Sequence, residues 1–130
     1  MDLDALLVEA RAARAGSYAP YSKINVGAAV LTTDGHVVRG ANVENASYGL
    51  TVCAERNAIF AAVNQGATRF SAIAVSVLGD VGDVAPHLVS PCGACRQVMA
   101  EFMGDDAMVI VDGAGRYTLG QLLPDAFRLS

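Results

Sequence analysis

The three cysteines constrain the fold more than any other feature of the sequence, because they fall in only two short runs. Residues 51–56 contain Cys53, and residues 90–96 contain Cys92 and Cys95. Both runs carry signals of a helix start, since Thr and Ser are favoured N-caps and proline is a favoured first helical residue. We therefore predict that two helices begin here and that their N-terminal ends meet.

Hydrophobic spacing and turn residues predict the remaining elements. Apolar residues recur at helical spacing near the N-terminus, and the pair Asp34-Gly35 is typical of a hairpin turn. Thr51 and Ser90 are the candidate N-caps, with Pro91 as the first residue of the third helix. The predicted elements are a helix from Leu3 to Gly16, strands over 26–31 and 37–44, a helix over 53–65, a strand over 70–78, a helix over 91–103, a strand over 108–111, a turn over 112–115 and a short helix over 119–122.

The order α-β-β-α-β-α-β indicates one α/β domain over residues 1–130, with helices on the faces of a central mixed sheet. The first two strands form an antiparallel hairpin, whereas strands joined through a helix are expected to run parallel. Gly27 lies within an apolar strand, which suggests close approach by another backbone or by a ligand. Ligands of such sheets bind at the carboxyl ends of strands, where the cysteine-bearing helices begin.

Composition narrows the class of protein. The 130 residues are 53% hydrophobic, yet no apolar run reaches the ~18 residues that a membrane span requires. The surplus of apolar surface in so small a chain favours an oligomer. The formal net charge is -4 and Lys23 is the only lysine, so we expect neither a nucleic-acid nor a membrane partner.

The N-terminus and the cysteine count predict the compartment. Residues 1–4 lack the positive and apolar segments of a signal peptide. Three cysteines are an odd number, which disfavours a disulfide framework. We therefore expect a cytoplasmic protein.

The spacing of the cysteines favours a zinc site with one ion per chain. Cys92 and Cys95 are three residues apart and share a face of one helical turn, while Cys53 lies at a second helix start. Helix N-termini stabilise thiolates, the form that zinc binds. Three thiolates leave the fourth tetrahedral position open, as in a catalytic site. Arg56 and the helix ends would offset the excess negative charge by hydrogen bonding to sulfur.

Other interpretations of the cysteines stay open at this point. Cys53 alone would be a small buried hydrophobe, and Cys92 with Cys95 would be a redox pair. His87 or His36 would complete a closed structural zinc site, although a histidine after a hairpin turn, as His36 is, is more typically exposed.

Glu55 follows Cys53 by two residues at the same predicted helix start. Most carboxylates in that position are simply solvated. A carboxylate within one hydrogen bond of zinc-activated water can take its proton and pass it on. We therefore interpret Glu55 as a proton carrier and not as a ligand.

The two runs resemble those of the zinc-dependent cytidine deaminases, in the small homotetrameric form with three cysteine ligands. The resemblance covers nearly the whole chain and implies their three-layer α/β/α fold. The sequences that carry it are Cys53-Ala54-Glu55, Pro91-Cys92-Gly93-Ala94-Cys95-Arg96-Gln97, Tyr21-Ser22, Val26-Gly27-Ala28-Ala29, Asn42-Val43-Glu44-Asn45 and Leu123-Pro124-Asp125-Ala126-Phe127.

The resemblance implies the reaction and its residues. Cys53, Cys92 and Cys95 hold zinc, and water activated by the metal attacks C4 of the pyrimidine. Glu55 takes the proton of that water, delivers it to N3 and later protonates the departing ammonia. The implied activity is hydrolytic deamination of cytidine and 2′-deoxycytidine to uridine and 2′-deoxyuridine, for pyrimidine salvage.

The resemblance also implies how a nucleoside is bound. Asn42 and Glu44, with Val43 between them, bind ribose hydroxyls, and residues two apart on a strand do point to one face. Without the resemblance, Asn42 and Glu44 would be a polar rim at a strand end.

The base is implied to contact the backbone near Ala54 and the carbonyls of Ser90 and Pro91. Ile24 stands where family members usually carry phenylalanine, so apolar contact with the base is retained but aromatic stacking is lost.

Two further residues are implied to act between subunits. In the family, Phe127 and the region of Tyr48 reach the site of a neighbouring subunit, so we expect a homotetramer with shared sites. Phe127 by itself would be an ordinary anchor of the C-terminal tail.

Three functions compete on this evidence. The first is deamination of cytidine and 2′-deoxycytidine, and the second is deamination of a cytosine-bearing antibiotic nucleoside on the same scaffold. The third is a non-enzymatic zinc or redox module. Asn42 and Glu44 favour a substrate with a free ribose, and the acidic net charge disfavours polymeric RNA or DNA.

Overall fold

The computed structural model describes residues 1–82 and 89–129. Its helices are α1 (Leu3–Ala13), α2 (Ala54–Asn64), α3 (Gly93–Phe102) and α4 (Leu119–Leu122), and its strands are β1 (Asn25–Thr32), β2 (Val37–Ala41), β3 (Phe70–Leu78), β4 (Met108–Val111) and β5 (Gly115–Thr118). Single 3₁₀ turns follow α1 at Arg14–Gly16 and precede α2 at Tyr48–Leu50. Within these described ranges, no helix is both long enough and apolar enough to cross a membrane.

The strands form one mixed sheet in the order β2-β1-β3-β4-β5. β1 is antiparallel to both β2 and β3, so the predicted hairpin is confirmed. β3 and β4 pair in parallel through α3, and β5 returns antiparallel to β4. β2 and β3, which are joined through α2, run in the same direction with β1 between them. The mixed sheet predicted from the order of elements is therefore confirmed.

Helices cover both faces of the sheet, which gives the predicted three layers. On one face, Leu6 and Ala10 of α1 pack against strand residues, which are Ala29, Leu31, Ala72, Ala74 and Ile110. On the other face, the cores of α2 and α3 pack together against β1, β3 and β4. The large side chains buried on this second face include Phe70, Ile59, Ile73, Met99, Met103, Leu119, Val30 and Val109.

Two glycines let helices lie directly on the sheet. A Cβ added at Gly27 would lie 2.1 Å from the carbonyl oxygen of Ala10 in α1. A Cβ added at Gly40 would lie 2.3 Å from the backbone nitrogen of Ala58 in α2. Only glycine fits at either position, so the close backbone approach predicted at Gly27 is confirmed.

The cysteine-bearing helices begin later than predicted, and the predicted capping hydroxyls bond to other groups. The N-caps are Cys53 for α2 and Cys92 for α3, and Pro91 precedes the helix. Thr51 Oγ1 accepts a hydrogen bond from the backbone of Asn45, and Ser90 Oγ accepts one from Arg96. Neither hydroxyl caps its helix, since no side-chain capping bond is present at either N-cap in the described chain.

Two strand predictions are also wrong at their edges. β2 ends at Ala41 and not at residue 44, because Val43 pairs with Tyr18 and Val52 instead of β1. Gly115, predicted within a turn, is the first residue of β5, a strand that the sequence did not predict. The turn between β4 and β5 is therefore three residues long, 112–114.

Candidate active site

The fold brings all three cysteines together at the starts of α2 and α3. The Sγ atoms of Cys53, Cys92 and Cys95 lie within 4.8 Å of one another, and those of Cys92 and Cys95 are 3.4 Å apart. All three are free cysteines. Cys95 is buried, Cys53 is half-buried and Cys92 is exposed, so the cluster opens to solvent on one side.

The cluster fits a zinc ion. Sulfurs at three corners of a zinc tetrahedron are about 3.8 Å apart, which matches the observed separations. His36 lies instead on the β1–β2 turn, where its Nδ1 is 3.3 Å from Asp34. His87 falls outside the described residues. Within those residues the metal-binding group therefore consists of three thiols, which leaves one tetrahedral position for water or substrate.

Arg56 directs its positive charge at the sulfurs. Its Nη2 donates to Cys53 Sγ at 3.6 Å, and its Nε is buried without a partner among the described residues. Hydrogen bonding to Cys53 raises the pKa of the Arg56 guanidinium, so its charge is permanent. Three thiolates around a divalent cation carry a net charge of about −1, and Arg56 is placed to balance it.

The thiols are themselves coupled. A hydrogen bond from Cys95 lowers the pKa of Cys53 to about 5, and Arg56 acts in the same direction. That shared bond raises the pKa of Cys95 above the usual range of a thiol. Cys53 is therefore the first of the pair to become the thiolate that a metal binds.

Glu55 lies in the first turn of α2 with only 5% of its surface exposed. Burial raises the pKa of its carboxyl to about 7, and the charge of Cys53 acts in the same direction. Arg56 and the backbone N–H of Glu55 partly oppose this shift. A buried carboxyl with this pKa exchanges protons near neutral pH, which is the property required of a proton carrier.

A cavity of about 350 Å³ leads to Glu55 and the sulfurs. Ile24, Asn42 and Ala54 line it, as does Ser90, so four of the predicted substrate-binding residues lie together. The other residues of its lining are Val26, Thr51, Cys53, Glu55, Val75, Val77, Val81, Val89 and Cys92. Its walls are mostly apolar with a few polar groups, as is typical of a small-molecule site.

A second cavity, of about 410 Å³, shares Thr51 with the first. Glu44 and Tyr48 line it together with Tyr21 and Ser22. The rings of Tyr21 and Tyr48 meet edge to face, with centroids 6.2 Å apart. Of the residues predicted to contact a nucleoside, Ile24, Asn42, Ala54 and Ser90 thus line the first cavity, and Glu44 and Tyr48 line the second.

Asn42 is buried and holds three segments together. Its Oδ1 accepts hydrogen bonds from Ser17 Oγ at 2.6 Å and Val26 N at 2.8 Å. Its Nδ2 donates to the carbonyl oxygen of Ile24 at 2.9 Å. One N–H of the amide is not used in these bonds and can donate to a ligand.

Three predicted residues lie outside the linings of these two cavities. Val43 is half-exposed and pairs through its backbone with Val52. Pro91 is buried, and its carbonyl oxygen accepts a hydrogen bond from Arg96 Nε at 2.7 Å. Phe127 is 70% exposed, and its carbonyl oxygen accepts from Gln97 in α3.

Sequence reasoning missed several residues of the site. Val75 and Val77 alternate along β3, so the period of two in a strand could have placed both on one face. Tyr21 and Ser22 were assigned no role, because they lie in a loop whose position depends on contacts distant in sequence. Arg96 was likewise assigned no role, although it holds the segment before α3.

Comparison with known proteins agrees with this site. The family described as "Cytidine and deoxycytidylate deaminase zinc-binding region" matches residues 2–111, a range that includes all three cysteines. The chain is 49% identical over 131 residues to a cytidine deaminase of Halalkalibacterium halodurans, covering 98% of this chain and 95% of the relative. It is 34% identical over 109 residues to a blasticidin-S deaminase of Bacillus cereus, covering 79% and 76%.

A solved structure shows the same fold. The crystal structure of cytidine deaminase from Burkholderia pseudomallei superimposes with a TM-score of 0.85 at 48% identity, covering 98% of this chain and all of that one. The family match and the three convergent sulfurs agree on zinc, one ion per chain. The chain therefore belongs to the cytidine and deoxycytidylate deaminase family and is a zinc-dependent deaminase.

Proposed function

We propose that this enzyme deaminates cytidine and 2′-deoxycytidine hydrolytically, consuming water and giving uridine or 2′-deoxyuridine and ammonia. The observation that carries this proposal is the position of Glu55, which is buried beside three convergent sulfurs in the lining of one cavity. The similarity to relatives named cytidine deaminase supports cytidine as the nucleoside.

The metal would be held by Cys53, Cys92 and Cys95. When bound, zinc supplies a Lewis acid that makes water a nucleophile at neutral pH. Arg56 lowers the electrostatic cost of gathering three thiolates, because its charge faces Cys53 Sγ. The N-terminal ends of α2 and α3 contribute in the same sense.

Glu55 moves the protons of the reaction. Its carboxylate accepts a proton from the attacking water and delivers it to N3 of the base. It then takes the remaining proton from the new hydroxyl on C4 and passes it to the amino group, so that C4 becomes a carbonyl as the C4–N bond breaks and ammonia leaves. Its burial keeps bulk solvent from competing for that proton. Glu55 is the second residue of α2 and Cys53 its N-cap, so the helix fixes their relative position.

The base would lie against the apolar walls of the first cavity. Ile24 provides one wall, together with Val26, Val75 and Val77. These aliphatic residues exclude water without stacking on the ring, so shape selects the base more than aromatic contact does. The backbone at Ala54 and the carbonyls of Ser90 and Pro91 are proposed as the polar contacts.

The sugar would lie toward the second cavity. The unused N–H of Asn42 donates to a hydroxyl oxygen, and the Glu44 carboxylate accepts from a hydroxyl proton. Val43 lies between these two residues and is proposed to contact the sugar through its backbone. A ribose hydroxyl can both accept and donate, so this pair suits it.

We also propose a homotetramer with shared active sites. Large apolar side chains are exposed: Tyr48, which lines the second cavity, at 76%, Leu50 at 66% and Phe127 at 70%. A second copy covering them would explain this surface and would bring Tyr48 and Phe127 to a neighbouring site. Light scattering tests the assembly, and a monomer at micromolar concentration contradicts it.

Three further statements stay predictions: a single domain over residues 1–130, a role in pyrimidine salvage, and a cytoplasmic location. None of them is needed for the chemistry described above.

An ultraviolet assay on cytidine tests the proposed function. We expect loss of cytidine absorbance with ammonia release, abolished by a zinc chelator and restored by added zinc. A parallel assay on a cytosine-bearing antibiotic nucleoside tests the second candidate function, deamination of such an antibiotic. The similarity to a blasticidin-S deaminase is the reason for including it. Turnover of the antibiotic without turnover of cytidine overturns the first candidate.

A further inference from the structure

Ser22 joins the two cavities through its hydroxyl. Ser22 Oγ donates to Glu44 Oε2 at 2.5 Å and accepts from the backbone N–H of Ile24 at 3.0 Å. Glu44 lines the cavity assigned to the sugar, and Ile24 lines the cavity assigned to the base. One side chain therefore connects a sugar-binding group with a wall of the base pocket.

The Ser22 hydroxyl has no proton to spare for a substrate. A serine hydroxyl has one donor hydrogen and two acceptor lone pairs. The Ile24 N–H occupies one lone pair, and the single hydrogen points to Glu44. Ser22 therefore cannot donate to a nucleoside without giving up its bond to Glu44.

Counting acceptor sites on Glu44 identifies the oxygen left for the sugar. A carboxylate has about four lone-pair sites. Oε1 accepts two backbone hydrogen bonds, from Tyr21 N and Ser22 N, both at 3.1 Å. Among residues 1–82 and 89–129, Oε2 accepts only the Ser22 hydroxyl, so the remaining site lies on Oε2. The Ser22 bond thus fixes the oxygen that receives the ligand.

The backbone between Ser22 and Ile24 is unusual. Lys23 has φ 62°, in the left-handed region that residues other than glycine rarely adopt. This conformation turns the chain so that Ile24 N points back at Ser22 Oγ. Such a residue persists where surrounding bonds hold it, and such positions cluster at ligand sites.

We propose that Ser22 is a positioning residue for sugar recognition, acting through Glu44 and fixing Glu44 relative to the base pocket. The inference rests on the proposed function, because it assumes that Glu44 accepts a hydrogen bond from a ribose hydroxyl. It differs from a purely structural role, since a structural role would not depend on which hydroxyls the substrate carries.

The test compares Ser22→Ala with wild type on cytidine, 2′-deoxycytidine and 2′,3′-dideoxycytidine. We expect KM for cytidine to rise about three- to tenfold with little change in kcat, the effect of losing one hydrogen bond in binding. The penalty should shrink to nearly none for dideoxycytidine, which offers no secondary hydroxyl to Glu44. Bound zinc and thermal midpoint should be unchanged.

Two more variants and one control complete the design. Ser22→Thr keeps the hydroxyl and should restore KM. Adding Ser22→Ala to Glu44→Ala should cause no further loss if Ser22 acts through Glu44. Ser71→Ala removes an exposed hydroxyl at the start of β3, bonded only weakly to Leu31 O at 3.4 Å, and should match wild type.

The outcomes separate the two proposals. No turnover of cytidine by wild type overturns the proposed function and the Ser22 role together. Normal wild-type turnover with an equal Ser22→Ala loss on all three nucleosides overturns only the Ser22 role. An undiminished loss in the Glu44→Ala background also overturns it, because Ser22 would then contact the substrate or support the fold directly.

Discussion

The N-terminal ends of α2 and α3 each combine a cysteine N-cap with an arginine, but the two arginines have different partners. Each helix has a cysteine N-cap, with no side-chain capping bond within the described chain, and an arginine in or just after its first turn. Arg56 of α2 turns toward the sulfurs. Arg96 of α3 turns away and donates to Pro91 O at 2.7 Å, Ser90 Oγ at 2.7 Å and Leu122 O at 2.6 Å.

This difference follows from what lies behind each helix end. α2 packs on β2 through Gly40, so its position is already fixed and Arg56 is available for electrostatics. Residues 89–92, the described segment before α3, form neither helix nor strand, and Arg96 ties this segment to the end of α4. Both ends supply sulfurs, but the arginine of α2 acts on those sulfurs, whereas the arginine of α3 fixes the position of the segment before its helix.

Removing a sulfur from either end should have the largest effect. We expect Cys53→Ser and Cys95→Ser each to lower bound zinc from one per chain to less than about a tenth, because two thiolates hold zinc far more weakly than three. Elemental analysis after dialysis measures the metal. Full zinc retention in Cys53→Ser would mean that α2 supplies no ligand and would break the comparison.

Glu55→Gln should remove turnover and leave the metal. The amide keeps the shape of the side chain but cannot carry a proton, so kcat should fall by at least about a hundredfold. Zinc content and thermal midpoint should stay at wild-type values. Glu101→Gln, an exposed carboxylate on α3, is the matched control and should be fully active. Normal turnover by Glu55→Gln would remove it from the mechanism.

Substituting the two arginines should affect different properties, stability for Arg96 and zinc binding for Arg56. Arg96→Gln loses charge-assisted bonds to three acceptors and should lower the free energy of unfolding by about 2 kcal/mol. Arg56→Gln should change stability much less but weaken zinc retention and kcat. Urea unfolding and competition with a chelator measure the two effects. Equal effects of both substitutions on stability and on zinc would show that the helix ends do not differ.

The smallest effect is expected at an ion pair remote from both ends. Hydrogen bonding to Arg11 lowers the pKa of Asp112, so its stabilising contribution is present above the unfolded pKa and is lost as pH falls through the lower folded value. Asp112→Asn should lower the urea midpoint by about 0.3 M at pH 7. The difference from wild type should shrink below pH 4. A difference that grows on acidification would reverse the assigned sign.

The sequence predicted the centre of the molecule better than its edges. Helices and long strands were predictable because their hydrophobic spacing is a local pattern. The cysteine cluster was predictable because all three metal-ligating residues lie at predicted helix starts. The first residues of α2 and α3 were not predicted correctly. The hydroxyls of Thr51 and Ser90 accept hydrogen bonds from Asn45 and Arg96, and these contacts could not be read from the sequence. β5 was missed because it has four residues, two of them polar, at a sheet edge.

The site shows the same limit. Ile24, Asn42 and Ser90 fall in the lining of the cavity, as the family resemblance led us to expect. The link from Ser22 to Glu44 joins residues 22 apart, and no spacing rule relates a loop serine to the end of another segment. The contacts of Arg96 depend on how α4 ends, which the sequence does not reveal.

Gly40 gives the fold an unexpected point of leverage over catalysis. A methyl group there would meet the backbone of Ala58 and, at 2.8 Å, the carbonyl oxygen of Ala54, in the turn that also carries Glu55. The absence of a side chain at Gly40 thus sets the distance between β2 and the first turn of α2. Attempts to adapt this enzyme to bulkier pyrimidines should therefore leave residue 40 unchanged. Any side chain there would push α2 away from β2 and displace Glu55 and Cys53, although residue 40 lies outside the lining of both substrate cavities.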